Sequence, residues 1–101
     1  HAMRMMLKVV IPVEAGNKAI KDGSLASGMK STMERLKPEA SYFLTTEGAR
    51  TALFFFDMKD ASQIPAIGEP LFMGLNASVT LSPVMNADDL QKGLAEAAKN
   101  F

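Results

Sequence analysis

The chain has 101 residues, of which 48% are hydrophobic and 22% charged, the proportions of a single globular domain. Lys and Arg number 11 and Asp and Glu also 11, so no long-range field gathers polyanions or draws the chain to an anionic membrane, and neither nucleic acid nor membrane is an expected partner. The sequence holds no cysteine, which removes disulfides, thiolate nucleophiles, iron–sulfur clusters and cysteine-based zinc sites.

The sole histidine is His1. His1-Ala2 before Met3 reads as an expression-vector remnant, which assigns residues 3–101 to one domain and leaves that domain without histidine. Histidine-based zinc centres, axial haem ligation and Ser-His or Cys-His dyads are thereby excluded, and no cofactor or metal is expected. The first apolar run, Met5 to Val13, is interrupted by Lys8. It is too short and too polar for a signal segment or for the roughly 20 residues of a membrane span, and a cytoplasmic location is expected.

In chain order, Met5 to Val13 reads as a buried strand ended by Pro12, Glu14 and Gly16. From about Ala15 to Leu36 the period changes, with Leu25, Met29, Met33 and Leu36 recurring every three or four residues, and an amphipathic helix stops before Pro38. Gly23, within Asp22-Gly23-Ser24, is its weak point, because a glycine inside a helix costs about 1 kcal/mol relative to alanine. Glu39 to Thr46 and Arg50 to Met58 read as a hairpin around Glu47-Gly48-Ala49, whose glycine supplies a positive φ. Asp60 and Gln63 form a helix start, after which Ile64, Ile67, Leu71, Phe72 and Leu75 keep a helical period that Pro70 is expected to break or kink. Ala77 to Met85 alternates Val79 and Leu81 against Ser78, Thr80 and Ser82, as a strand with one apolar face does. Asn86 then caps a helix with Asp88 and Asp89 in its first turn, Lys99 in its last, and a stripe of Leu90, Leu94, Ala97, Ala98 and Phe101.

The order β-α-β-β-α-β plus a further helix fits the split βαβ, ferredoxin-like arrangement: an α+β fold whose antiparallel four-stranded sheet has its first and third strands in the middle and both long helices on one face. Yet Met5, Met6, Leu7, Val9, Val10 and Ile11 load both faces of the first strand, and Leu53, Phe54, Phe55 and Phe56 both faces of the third. Such a patch marks an interface or a ligand groove. A twofold homodimer with two sheets packed face to face is the simplest arrangement that covers it.

The element order and doubly apolar central strands resemble the dimeric α/β-barrel superfamily of ferredoxin-like proteins. The phrases IPVEAGN (Ile11 to Asn17), SQIPAIGEPLF (Ser62 to Phe72) and SPVMN (Ser82 to Asn86) are similar to a group of small, uncharacterised bacterial proteins within it. The resemblance covers roughly Met5 to Leu94 and implies the dimeric barrel, whereas function varies across the superfamily. Its members include monooxygenases, isomerases, haem-binding enzymes and ligand domains of transcription regulators. The haem branch lacks its axial histidine here, and the regulator branch lacks its DNA-binding domain.

Lys8 shares strand parity with Met6 and Val10 and is expected on the sheet-to-sheet side. There it either binds a substrate carboxylate or acts with a lowered pKa, against the structural alternative of a cross-interface ion pair or a snorkelling stem. Asp57, at a strand end, and Glu69, beside Pro70, are candidate general bases, and Tyr42 joins them as a catalytic candidate. Arg50 and Thr80 are candidate ligand-binding groups, the latter within the hydroxyl row Ser78, Thr80 and Ser82, which has no basic partner and so no nucleophile. The structural alternatives are a cap-region charge for Asp57, a helix-face charge for Glu69, an interface aromatic for Tyr42, a surface pair for Arg50 and plain alternation for the hydroxyls. The single glycine of IPVEAGN has neither nucleotide-loop spacing, and Glu14 repels phosphate. Met29 and Met33 read as core filler.

Two functions of different class follow. One is a homodimer binding a small apolar or aromatic organic molecule between sheet and helices, which, if catalytic, is a cofactor-independent isomerase or monooxygenase. The other is a non-catalytic assembly or accessory module whose open sheet face serves only oligomerisation, as a homodimer or with a partner. A cavity with converging polar groups marks the first, and an interior filled by Phe and Met the second.

Overall fold

Alternation along the first strand decides which side of the sheet is the core. In a computed structural model describing residues 3–101, β1 (Met3–Ile11) buries Met5, Leu7, Val9 and Ile11, while Arg4, Met6, Lys8 and Val10 stay half-covered on the other face. β1 starts two residues earlier than the apolar run suggests and stops at Ile11, because Pro12 supplies no N–H and becomes the N-cap of the next helix. His1 and Ala2 lie outside the described residues.

The helix read over Ala15 to Leu36 is two helices, α1 (Val13–Asp22) and α2 (Ser24–Leu36). Between them Gly23 takes φ 82°, the left-handed conformation that glycine adopts without strain. The Asp22 carboxylate accepts the Ser24 N–H at 2.8 Å, so the new helix start is capped by the last residue of the old one. Met29 and Leu36 are buried and Leu25 and Met33 pack against the core; the stripe identified by period is the face turned to the sheet.

β2 (Ala40–Thr46) and β3 (Ala49–Met58) form the hairpin. Its two-residue turn has positive φ at both Glu47 (54°) and Gly48 (75°), the primed geometry whose twist matches the strands. A 3₁₀ turn at Ala61–Gln63 then leads into α3 (Ile64–Leu75). Asp60 accepts from the Ser62 N–H, and the Gln63 side chain accepts from the Asp60 N–H, the reciprocal box its spacing predicts.

Pro70 does not break α3, which continues through it to Leu75. A proline in a helix interior leaves the carbonyl four residues earlier without its donor. That carbonyl belongs to Ala66, and the Arg35 guanidinium of α2 donates to it. The helix expected to break or kink at Pro70 does not break there, and the carbonyl that the proline leaves without its helical donor accepts from a neighbouring helix instead.

β4 (Ser78–Pro83) completes an open antiparallel sheet in the order β2-β3-β1-β4, compatible with a ferredoxin-like fold. Leu7, Val9 and Phe54 are wholly buried at its centre, beneath α1, α2 and α3. The last helix, α4 (Ala87–Ala98), has its expected box, Asn86 and Asp89 bonding each other's N–H at 2.8 and 3.1 Å. None of its residues is buried. It projects from the sheet, and the molecule measures 55 Å along its long axis against 27 and 19 Å across. Among the described residues no helix is long and apolar enough to cross a membrane.

Two outcomes test these contacts. Arg35→Met should destabilise the chain by about 0.5–1 kcal/mol in the presence of Pro70 and by clearly less in a Pro70→Ala background, where an N–H returns to Ala66; urea unfolding of the four variants measures the coupling. The Ser62 hydroxyl and then the Ser62 N–H hold the Asp60 carboxyl below its ordinary 3.8. A depressed pKa stabilises the fold above the unfolded value and loses that contribution as pH falls through the folded one. The Tm advantage of the wild type over Asp60→Ala should therefore be constant near neutrality and shrink as the pH is taken below 3.8.

Candidate functional site

The sheet face opposite the helices carries most of the groups singled out in the sequence. Strand register places Tyr42, Leu53, Lys8 and Thr80 in one row across β2, β3, β1 and β4: Tyr42 pairs with Leu53, Leu53 with Lys8, and Lys8 with Thr80. The row on one side is Phe55, Met6 and Ser82, and that on the other is Leu44, Thr51, Val10 and Ser78. An ammonium thus sits among Met6, Val10, Leu53 and Phe55, with a phenol two strands away on one side and a hydroxyl on the adjacent strand on the other.

Lys8 is half-buried and forms no salt bridge among the described residues. Its aliphatic stem covers apolar sheet while its charged end has no internal counter-ion. Tyr42 is 60% exposed, with its ring edge-on to Phe55 at a centroid distance of 6.4 Å. Thr80 and Ser78 are exposed and Ser82 is half-covered, so the hydroxyl row lines the β4 edge of the face. Thr51 differs from these hydroxyls: it is buried, its Oγ1 lies 2.6 Å from that of Thr46, and it donates to the Ala49 carbonyl at 3.2 Å.

The remaining candidates do not converge on Lys8. Asp57 shares the face but pairs in register with Arg4, four residues along the strand from Lys8, or about 13 Å. It borders a cleft of about 390 Å³ at the end of the sheet, where Arg4, Arg35, Lys37 and Lys59 outnumber Glu39 and Asp57. Glu69 is exposed on α3, beyond the opposite face. Arg50 is also on the helix side. Its Nη2 donates to Asn17 Oδ1 at 3.0 Å and its Nη1 to the Val13 carbonyl at 3.4 Å. A Cβ at Gly16 would stand 2.7 Å from Nη1, so the glycine and asparagine of IPVEAGN seat an arginine from β3.

Two features escaped the sequence reading. Arg4 donates from Nε to Glu39 at 3.1 Å and from Nη1 to Asp89 at 3.4 Å, tying β1 to the start of β2 and to α4. Its parity with Met6 and Lys8 was the available signal. The other is a hollow of about 210 Å³ on the helix side between α2 and β2, bordered by Leu25, Met29, Phe43 and Arg50. Phe43 is 60% exposed there although its ring meets Phe54 edge-on at 6.0 Å. Among the described residues no group of three or more His, Cys, Asp or Glu is placed to hold a metal ion.

The open face can exclude water only if something covers it. It offers apolar area, one ammonium, one phenol and a border of hydroxyls, a set suited to a small molecule with an apolar body and an anionic group. Compared with protein families, with curated proteins and with solved structures, the chain finds no match.

Proposed function

We propose that the chain is a homodimer in which two open sheet faces pack on each other as a dimeric α/β barrel, enclosing a site for a small apolar or aromatic organic molecule that bears a negative charge. The observation that carries this reading is Lys8, a half-buried cation at the centre of an apolar face, with no carboxylate partner among the described residues. Covering the face with a second copy withdraws two such ammoniums from water. A buried charge left uncompensated costs several kcal/mol, so an enclosed Lys8 calls for an anion. Tyr42 and Thr80, in the same row, would orient that ligand, and Leu53, Met6 and Phe55 would receive its apolar part. The fold supports no particular reaction; with no histidine, cysteine or metal cluster in the row, any catalysis would rest on Lys8 and Tyr42 as the proton carriers.

A second reading is assembly alone. It is favoured by the failure of Asp57 and Glu69 to join Lys8, and by the bulk of Met6 and Phe55 on the face. Under it the Lys8 stems snorkel to the rim of the dimer and no ligand enters.

Light scattering at micromolar concentration should give twice the mass of the chain; a monomer removes the homodimer and with it the enclosed site. Benzoate, as an aromatic carboxylate probe, should raise the Tm of the dimer where benzyl alcohol does not. Lys8→Met should keep the dimer and weaken benzoate binding by about 10–100-fold, the worth of a charge-assisted hydrogen bond. If benzoate has no effect on the wild type and Lys8→Met alone makes the dimer tighter, the assembly reading replaces the binding one.

A further inference from the structure

Four of the eleven Lys and Arg residues of the chain, Arg4, Arg35, Lys37 and Lys59, line the one cleft of about 390 Å³ at the end of the sheet where Met3 pairs with Met58. Two carboxylates share it. Glu39 is spent on Arg4, whose Nε donates to it at 3.1 Å, while Asp57 forms no salt bridge among the described residues. Arg35, Lys37 and Lys59 set against Asp57 leave a surplus of two positive charges, in a chain whose net charge is zero.

The fold holds several donors of this cleft in place. The Arg35 guanidinium donates to the Ala66 carbonyl, a neutral acceptor, and so keeps its charge and its other N–H groups. Gln63 is anchored at two points: its Oε1 accepts the Lys59 N–H at 2.9 Å and the Asp60 N–H at 3.2 Å. Both donors require the oxygen, which turns the amide nitrogen the other way, without a partner among the described residues. Donors ordered before a ligand arrives lose little further freedom on binding it. Lys37 closes α2 with φ 49° and ψ 59°, a left-handed C-cap that glycine or asparagine fills at lower cost. Beside the cations, a second hollow of about 190 Å³ shares Arg35, Asp57 and Gln63 with the cleft and reaches the core side chains Phe56 and Ile67.

We propose that the cleft binds a small phosphate monoester, with the phosphate among Lys37, Lys59, Arg35 and the Gln63 amide and an apolar body in the hollow against Phe56 and Ile67. Such a phosphate carries a charge of about −1.5 to −2 at neutral pH, which matches the surplus, and its three terminal oxygens accept from guanidinium, ammonium and amide donors together. A chain without net charge does not gather a polyanion, so the ligand is one small molecule. Asp57 is the group in the cleft that opposes it. Arg4 stands four residues along β1 from Lys8, and the site depends neither on the dimer nor on the ligand proposed there.

Phenyl phosphate is the probe. Titrated at low ionic strength into the isotopically labelled full-length chain, it should shift the backbone amides of Lys37, Lys59 and Gln63 saturably at millimolar concentration. Amide shifts there report this site and those at Lys8 the other, so the two succeed or fail separately. Lys37→Gly relieves the left-handed backbone, so it should keep or raise the Tm while weakening binding about fivefold to tenfold, and Lys59→Met should weaken it to a similar degree. Asp57→Asn should tighten binding, and Lys8→Met should leave it unchanged. Inorganic phosphate should bind more weakly than phenyl phosphate, because it leaves the hollow at Phe56 empty; equal affinity means an adventitious ion only and overturns the organic ligand. Shifts that do not saturate, or an affinity indifferent to both Lys37→Gly and Asp57→Asn, overturn the site.

Discussion

The side on which the two crossovers run governs the rest of this structure. β1 connects to β2 past β3, and β3 to β4 past β1, so the two crossovers run in opposite directions across the sheet between oppositely directed strand pairs. Right-handed connections then place α1, α2 and α3 on one and the same face. The core closes there, on Leu7, Val9 and Phe54. None of those three helices lies over the reverse face, and α4 meets Arg4 there at its first turn. Met6, Val10, Leu53 and Phe55 are therefore apolar residues left half-covered, and Lys8 is a half-covered charge with no salt bridge among the described residues.

The order of elements was readable from the sequence because each one carries its own local signal. Period four from Leu25 to Leu36, alternation from Ser78 to Ser82, and the boxes at Asp60 and Asn86 all lie within a few residues of what they specify. Gly23 was visible as a weak point, and it is the only residue between two helices. Pro70 misled for the opposite reason: the donor that rescues its helix is Arg35, on another helix and 31 residues away, and no local pattern records it. The stripe of α4 was equally plain, while its lying uncovered among the described residues belongs to tertiary geometry.

The candidate site was legible to the extent that parity governs it. Parity alone sets Lys8 with Met6 and Val10, and Thr80 with Ser78 and Ser82. Tyr42 joins their row only through two steps of strand register, which depend on the hairpin turn at Glu47-Gly48. Arg50 shows the same rule applied in reverse. It shares parity with Phe54 and Phe56, and so belongs to the helix side, where Gly16 makes room for it. Asp57 and Glu69 were chosen for lying near strand or helix boundaries, a criterion that carries no direction, and the fold sends one to the end of the sheet and the other to the far layer.

The hydrogen bond from Arg35 to the Ala66 carbonyl also constrains how this sequence can drift. A proline at position 70 without a donor from α2 leaves the exposed Ala66 carbonyl to solvent alone, whereas an arginine at position 35 does not itself require a proline at 70. Of the two mutational orders leading to the present pair, only the one that acquires the arginine first avoids a weakened intermediate. Once the proline is in place, position 35 is no longer free to change alone. The two helices are joined by an epistatic ratchet as well as by packing.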